Sequence, residues 1–494
     1  MFARSRIQGP RRAVLAGAVL AAAVGLVGPV PAAQAAESAE SAQSADSAQS
    51  ADAHGTFSVR RGGRPVVVPF RTGRDGEALV TLTLAAPGVD WGKAGAESAV
   101  VQLFVDGRPA GDVVVFGNEP TERSFALGAL RKGRHELGVK FAEDRSPGGT
   151  VVRISRLRTE NIAVGDRRHA VAANAPILYG RNIPNNPGGA TGPFQNAVTD
   201  TPILAWSQEA PAPTAGHRIL TYSIIWSNED GGTSTPALMA RWGRTTDIEW
   251  VYHVEVDGRG KVVPGTAFFQ SAEHGTQPFT GRYEDGHPLL QTCTLNNNMC
   301  DVVDDPMRFA PSAMERLADP TKTAREEIMD RHPWVYPVMA KEMRREGRVV
   351  ADPPADTTTL IADPQDYLYA VVRKTTSAKP PGATGWNGVA LGVRIKGDAT
   401  LYRSDRGRPD WSLERDLPAA TTVRLPHGTK ASDIVEVVAI RTVKGVDPGS
   451  TITVNGINRA FVLDRNDRPG AAVPVHPKPV TLTAAAPEAV LYRR

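Results

Sequence analysis

Residues Trp226–Val256 read WSNEDGGTSTPALMARWGRTTDIEWVYHVEV, and the last ten of them decide the fold. Ile248, Trp250, Tyr252, Val254 and Val256 fall on one side of an extended chain. Asp247, Glu249, His253 and Glu255 fall on the other, with Val251 the only apolar intruder. A period of two is the signature of a strand, because successive side chains point to opposite faces. One sheet face is therefore expected to be apolar and the other to carry an imidazole among three carboxylates. At a rise of ~3.3 Å per residue, Asp247 and Glu249 would stand about 7 Å apart on that face. Just upstream, Ile219–Trp226 reads as a second strand and Asn228 to Gly232 as a polar turn.

Three kinds of site fit this pattern. Oxygen ligands from an acidic turn and a strand suit a hard cation such as Ca²⁺ or Mg²⁺, and Asp230, Asp247, Glu249 and His274 are the candidate ligands. The carboxylates of Asp247 and Glu249 also suit general acid and base work on a glycosidic bond. The third reading is a solvated sheet face beside a polar turn. Trp226, Glu229, Trp242 and His253 are the candidate substrate contacts, since aromatic faces stack on sugar rings and polar groups bind hydroxyls. No nucleophile elbow, phosphate-binding glycine loop or His-Glu-x-x-His helix is present.

The totals favour β-structure. The chain has 494 residues, 41% hydrophobic and 22% charged, with 47 glycines and 39 prolines but few helix-long periodic runs. That composition fits strands joined by many turns and a length of more than one domain. A net charge of +4, with no basic run interleaved with aromatics, argues against nucleic acid as partner. Cys293 and Cys300 are the only cysteines, and in an exported chain they are expected to close a short disulfide loop rich in Asn.

Residues 1–36 read as an export signal: Arg4, Arg6, Arg11 and Arg12 precede an apolar run and a small-residue site at Ala33-Gln34-Ala35. The Arg11-Arg12 pair leaves both the general secretory and the twin-arginine routes open. No later segment has the length and apolarity of a membrane span. A Ser/Ala/acid repeat over 37–54 lacks the apolar surface needed to fold and reads as a tether. Residues 55–165 then carry short strand runs, among them Ser98–Val105 closing on Asp106-Gly107. With the return run ALGALRKGRHELGV, this spacing resembles the jelly-roll accessory modules of secreted carbohydrate-active proteins. Trp91 in this module suits either a sugar platform or a core aromatic.

A central Trp-rich β-domain is expected over 168–350. Capping boxes at Ser312/Glu315 and Thr323/Glu326, and a proline start at Pro337, predict terminal helices ending at Gly347. A Pro/Asp-rich linker (351–363), a C-terminal β-domain (364–465) and a Pro/Ala-rich, partly ordered tail (466–494) complete the chain. The expected class is mainly β: several sandwich modules, with a short helical segment ending the central one.

Gly243-Arg-Thr-Thr-Asp-Ile-Glu249 resembles the heptapeptide of the secreted necrosis- and ethylene-inducing-like proteins, Gly-His-Arg-His-Asp-Trp-Glu. Gly243, Asp247 and Glu249 match in place, and the resemblance implies metal-binding roles for the two acids. Arg244, Thr246 and Ile248 depart from the pattern, and the first of these replaces a metal-ligating histidine. The functional expectation is a secreted, extracellular protein that binds or acts on a polysaccharide or other cell-wall-type polymer, with a divalent cation as the candidate cofactor. A non-enzymatic surface-binding or adhesion protein and a membrane-active secreted factor are the alternatives.

Overall fold

The computed structural model describes residues 55–494, apart from 185, 187–189, 232, 318, 355–357 and 476–477. The expected signal and tether lie outside the described residues. The fold is mainly β, in sandwich modules with a few short helices.

The first module is an antiparallel sandwich. One sheet orders its strands Phe57–Arg60, Val151–Ala163, Gly76–Ala85, Thr121–Leu130; the other orders Val66–Thr72, Gly133–Phe141, Ala99–Val105, Arg108–Val115. Alternating apolar residues such as Val80, Leu82, Val101, Leu103, Leu137 and Val139 meet between the sheets. Asp106 and Gly107 both take positive φ (49° and 78°), the two-residue hairpin turn that their sequence encodes. The last module is built alike, with Ala419–Arg424, Tyr367–Thr376, Ile452–Leu463 and Pro469–Ala472 facing Tyr402–Arg403, Trp386–Ile395, Ile434–Lys444 and Glu488–Arg493. The region expected as a loose tail thus supplies sheet strands. Val480–Leu482 pairs with Ile452–Val454, Glu488–Arg493 pairs with Glu436–Ile440, and Leu482 and Leu491 are buried in the core. The expected linker is also built in, because Val349 bridges Ile361 and Ile361 is fully buried.

The central sheet runs Pro202–Pro211, Arg218–Trp226, Asp247–Val256, Phe268–Ser271, Gly275–Pro278, all antiparallel. A smaller sheet places Ile177–Tyr179 between His287–Thr292 and Arg308–Phe309. The deciding strand exists, but its alternation breaks in the middle. Tyr222 pairs with Tyr252 and Ser223 with Trp250, so Val251 is a bulge without a partner of its own. A bulge exchanges the faces of every residue beyond it. Ile248 accordingly packs in a core with Met239, Ile328, Met339 and Met343, whereas Tyr252, Val254 and Val256 pack in another with Leu178, Leu290 and Trp91. Trp250 and His253 end on one face with rings stacked at 5.2 Å. Asp247 and Glu249 therefore do not share a face with His253 and Glu255, which corrects the reading from strict alternation.

Helices cover the Ile248 face. Val335–Arg345 forms as expected, and Arg325–Arg331 as a short 3-10 and α turn. Residues 312–317 do not: Pro311 bridges Phe125 of the first module and Arg316 bridges Ser207 of the central sheet, so strand pairing overrides the capping signal. Thr235–Trp242 is a helix that the alternating reading passed over, ended by Gly243 at φ 65°. Both central cores cross module boundaries. One joins Trp91, Val100 and Val114 to the central sheet, and the other joins Tyr336 and Met343 to Tyr369 and Phe461.

Candidate functional site

The disulfide loop Cys293–Cys300 is expected on the surface, and the disulfide forms. Its tip turns inward instead. Asn297, at φ 48°, and Asn298 are fully buried. The Asn297 amide donates to Asp200 Oδ1 (3.2 Å), the Asn228 carbonyl (3.2 Å) and Asp247 Oδ2 (3.1 Å). One side chain thereby ties together three segments that sequence distance separates.

Asp247 opens its strand directly after the Gly243 helix end and is wholly buried, with Oδ1 lacking any partner. Burial, then the nearby charge of Glu249, pushes its carboxyl up to about 7. Glu229 accepts from the Thr233 N–H at 3.1 Å and is driven well above the carboxylate range by burial and by Asp247. Glu249 lies 3.8 Å from the His274 ring. Glu273 and His274 both hold positive φ (58° and 57°), a costly backbone for residues with Cβ atoms. With its amide turned so that both atoms are satisfied, Asn296 joins His274 Nε2 (3.1 Å) to Glu229 Oε1 (3.1 Å).

Asp230 belongs to the same network but is already committed. Its oxygens accept from Arg181 (2.8 Å) and from Arg348. Arg181 also holds Asp200 at 2.6 Å. Glu342 accepts from the Asp200 N–H (3.0 Å), the Thr199 hydroxyl (2.8 Å) and the Trp91 indole (2.9 Å), which carries the network into the first module. The four expected ligands thus converge without forming a coordination shell. Asp230 serves two guanidiniums, and only Glu249 and His274 reach the surface. Among the described residues no group of three His, Cys, Asp or Glu side chains is placed to hold a metal ion. The residues do not fit a resident cation.

The other expected contacts are also spent. Trp226 is fully buried. Trp242 is covered by the guanidiniums of Arg415 (3.8 Å) and Arg325 (4.7 Å). His253 lies between Trp250 and Phe268, 5.2 Å from each ring centre. Trp91 is a core aromatic. Arg181, Asp200, Glu342 and Arg348 were missed, and no local spacing marks them, because their partners are distant in the chain.

The open polar surface lies elsewhere. Two adjoining hollows, of about 600 and 1040 Å³, run between the first module and the small central sheet and share Asp106, Arg108, Ala129, Leu130 and Asp285. Tyr283 stands in this trough 49% exposed, braced edge-on by Phe279 at 5.0 Å and by the Tyr252 hydroxyl at 3.4 Å. Arg308 holds Glu284 through two 2.8 Å bonds and reaches the Tyr179 hydroxyl at 3.4 Å. Arg108 and Asp285, both largely exposed, face each other at 3.6 Å. His135 is bonded to Asp106 at 2.7 Å. No signal in a single segment marks this surface, since the modules compose it jointly.

Fold and surface together define a multi-module β-sandwich protein with an inter-module trough. No family model matches the chain, and no curated protein matches it. Among solved structures it is similar to the CBM36-1 domain of a multidomain xylanase from the hindgut metagenome of Trinervitermes trinervoides. That pair shares 14% identity over 22% of this chain and 88% of the other, at a TM-score of 0.16. The EclA C-terminal domain, described as a sugar-binding protein, gives 20% identity over 22% and 79%, at 0.16. A carbohydrate-binding module CBM36 in complex with calcium and xylotriose gives 14% over 22% and 90%, at 0.16. These likenesses span about a fifth of the chain and leave its site unassigned. Among the described residues no helix is long and apolar enough to cross a membrane.

Proposed function

We propose that this is an exported protein that binds an extracellular polysaccharide along the trough between its first module and its central domain. The observation that carries the reading is Tyr283: a half-exposed ring, held from behind, lining an extended hollow between modules. A braced aromatic face stacks on a sugar ring, and the flanking Arg108, Asp285, Asp106 and His135 offer donors and acceptors to hydroxyls. The disulfide and the Arg-led apolar N-terminus support an oxidising, exported setting. No turnover is routed through Asp247, which is buried beneath Asn297 of the disulfide loop.

The test is retention on insoluble polysaccharides and titration with soluble oligosaccharides, comparing the wild type with Tyr283→Ala. Saturable binding that the substitution weakens supports the proposal. Failure to retain any polysaccharide, or equal retention by the variant, overturns it. Attachment to cells whose surface glycans have been removed would favour an adhesion protein, and dye release from lipid vesicles a membrane-active factor. Chelation with EDTA addresses the cation: with Asp230 committed to Arg181 and Arg348, unchanged binding is expected.

A further inference from the structure

A second cavity, of about 300 Å³, lies where the first sandwich meets the Val335–Arg345 helix. Its walls include Trp91, Phe116, Trp334 and Val338, and Asp90, Glu119 and Lys341 also line it. Trp91 meets Phe116 edge-on at 4.8 Å, and Phe116 lies nearly parallel to Trp334 at 6.2 Å. The space is therefore shaped by flat, fixed rings.

Into the same cavity comes Arg123, a residue that is 92% buried by its 8% exposure. Its guanidinium lies over Phe116 (5.4 Å), Phe125 (5.2 Å) and Trp334 (5.5 Å). It donates only to carbonyls, those of Val114 (2.6 Å) and Ile203 (3.4 Å). No carboxylate among the described residues pairs with it. The acids nearby are engaged elsewhere: Asp90 with Lys341 at 2.8 Å, Glu122 with Arg156 at 3.6 Å, Glu119 with Arg468. Other buried guanidiniums of this chain, Arg181 and Arg348, each have carboxylate partners. A buried cation without a counter-charge is costly, and desolvation pulls Arg123 down to about 9. The cavity thus presents a positive charge among aromatic walls.

We propose that this cavity binds a small organic anion: an aliphatic or aromatic body carrying one carboxylate. The body fills the space between Phe116, Trp334 and Val338. The carboxylate supplies the counter-charge that Arg123 lacks. This site is separate from the trough and does not depend on the glycan reading.

Calorimetric titration of the full chain at neutral pH tests it, using two matched pairs: octanoate against octan-1-ol, and phenylacetate against 2-phenylethanol. A charge-assisted contact should make the carboxylates bind about tenfold or more tightly than their alcohols. Arg123→Lys should retain that preference, Arg123→Met should abolish it, and Val338→Trp should block binding by filling the space. Equal affinity for acid and alcohol would reduce the cavity to an apolar void and overturn the proposal. So would absence of binding by all four probes, or binding unchanged by Val338→Trp. The acid-to-alcohol comparison on the wild type stands even if Arg123→Met does not fold.

Discussion

The polar cluster around Asn297 and the trough around Tyr283 are both rich in charge, yet they differ in what remains free. In the cluster, Asn297 and Arg181 bind the carboxylates of Asp200, Asp230 and Asp247 to one another, and the tip of the disulfide loop closes over them. In the trough, pairs such as Arg108 with Asp285 stay largely exposed beside a half-exposed ring. Dense charge alone therefore does not indicate a binding site. Buried charge tied to other groups of the chain holds the fold, and half-exposed groups with spare capacity can meet a ligand.

Four experiments sharpen this contrast. The largest effect is expected from Asn297→Ala, which leaves acceptors on Asp200, Asp247 and Asn228 without their donor. Urea unfolding should show a loss of about 3 kcal/mol or more, and a loss below about 1 kcal/mol would make the loop an ornament and not a keystone. Next, Tyr283→Ala should weaken polysaccharide binding roughly tenfold, from the loss of about 1.4 kcal/mol of stacking, with little change in melting temperature. A stability loss without a binding loss would place Tyr283 with the cluster instead.

The third effect depends on pH. The Asp247 carboxyl is raised to about 7 when folded, against about 3.9 when unfolded. Between those values the folded chain keeps a proton that the unfolded chain has lost, so this group's contribution to stability falls as pH rises from about 4 to about 7. Asp247→Asn removes that slope. Its melting temperature should gain on the wild type across this window and run parallel above it; parallel profiles throughout would show that the carboxyl is not held up. The smallest effect is expected from EDTA, which should leave both stability and polysaccharide binding unchanged.

Much of the architecture could be read in local patterns. Strand runs and the Asp106-Gly107 turn marked the first sandwich, and Pro337 with Gly347 bracketed a true helix. Ser234, Pro236 and Gly243 signalled the Thr235–Trp242 helix equally well, but the strong alternation after it drew the reading away. Val251 was visible as an intruder, and its meaning as a bulge came only with the partner strand. The site was less legible. Asp230 and Asp247 do join a common network, yet what engages them is Arg181 and Asn297, residues 49 and 50 positions away in the chain. Whether a carboxylate faces water or a guanidinium is settled by tertiary packing, which spacing along one segment does not encode. The strands of the tail are hard to see for the same reason: Pro/Ala content hides short strands whose partners lie earlier in the chain.

The two cores that straddle module boundaries bear on how such a chain can change over time. Trp91 of the first sandwich hangs on Glu342 of a central helix, and Tyr336 of that helix lodges against Tyr369 and Phe461 of the last. A recombination event that exchanged one sandwich for a foreign one would strip the neighbours of their aromatic anchors. The parts look like interchangeable beads, but each carries part of its neighbour's core.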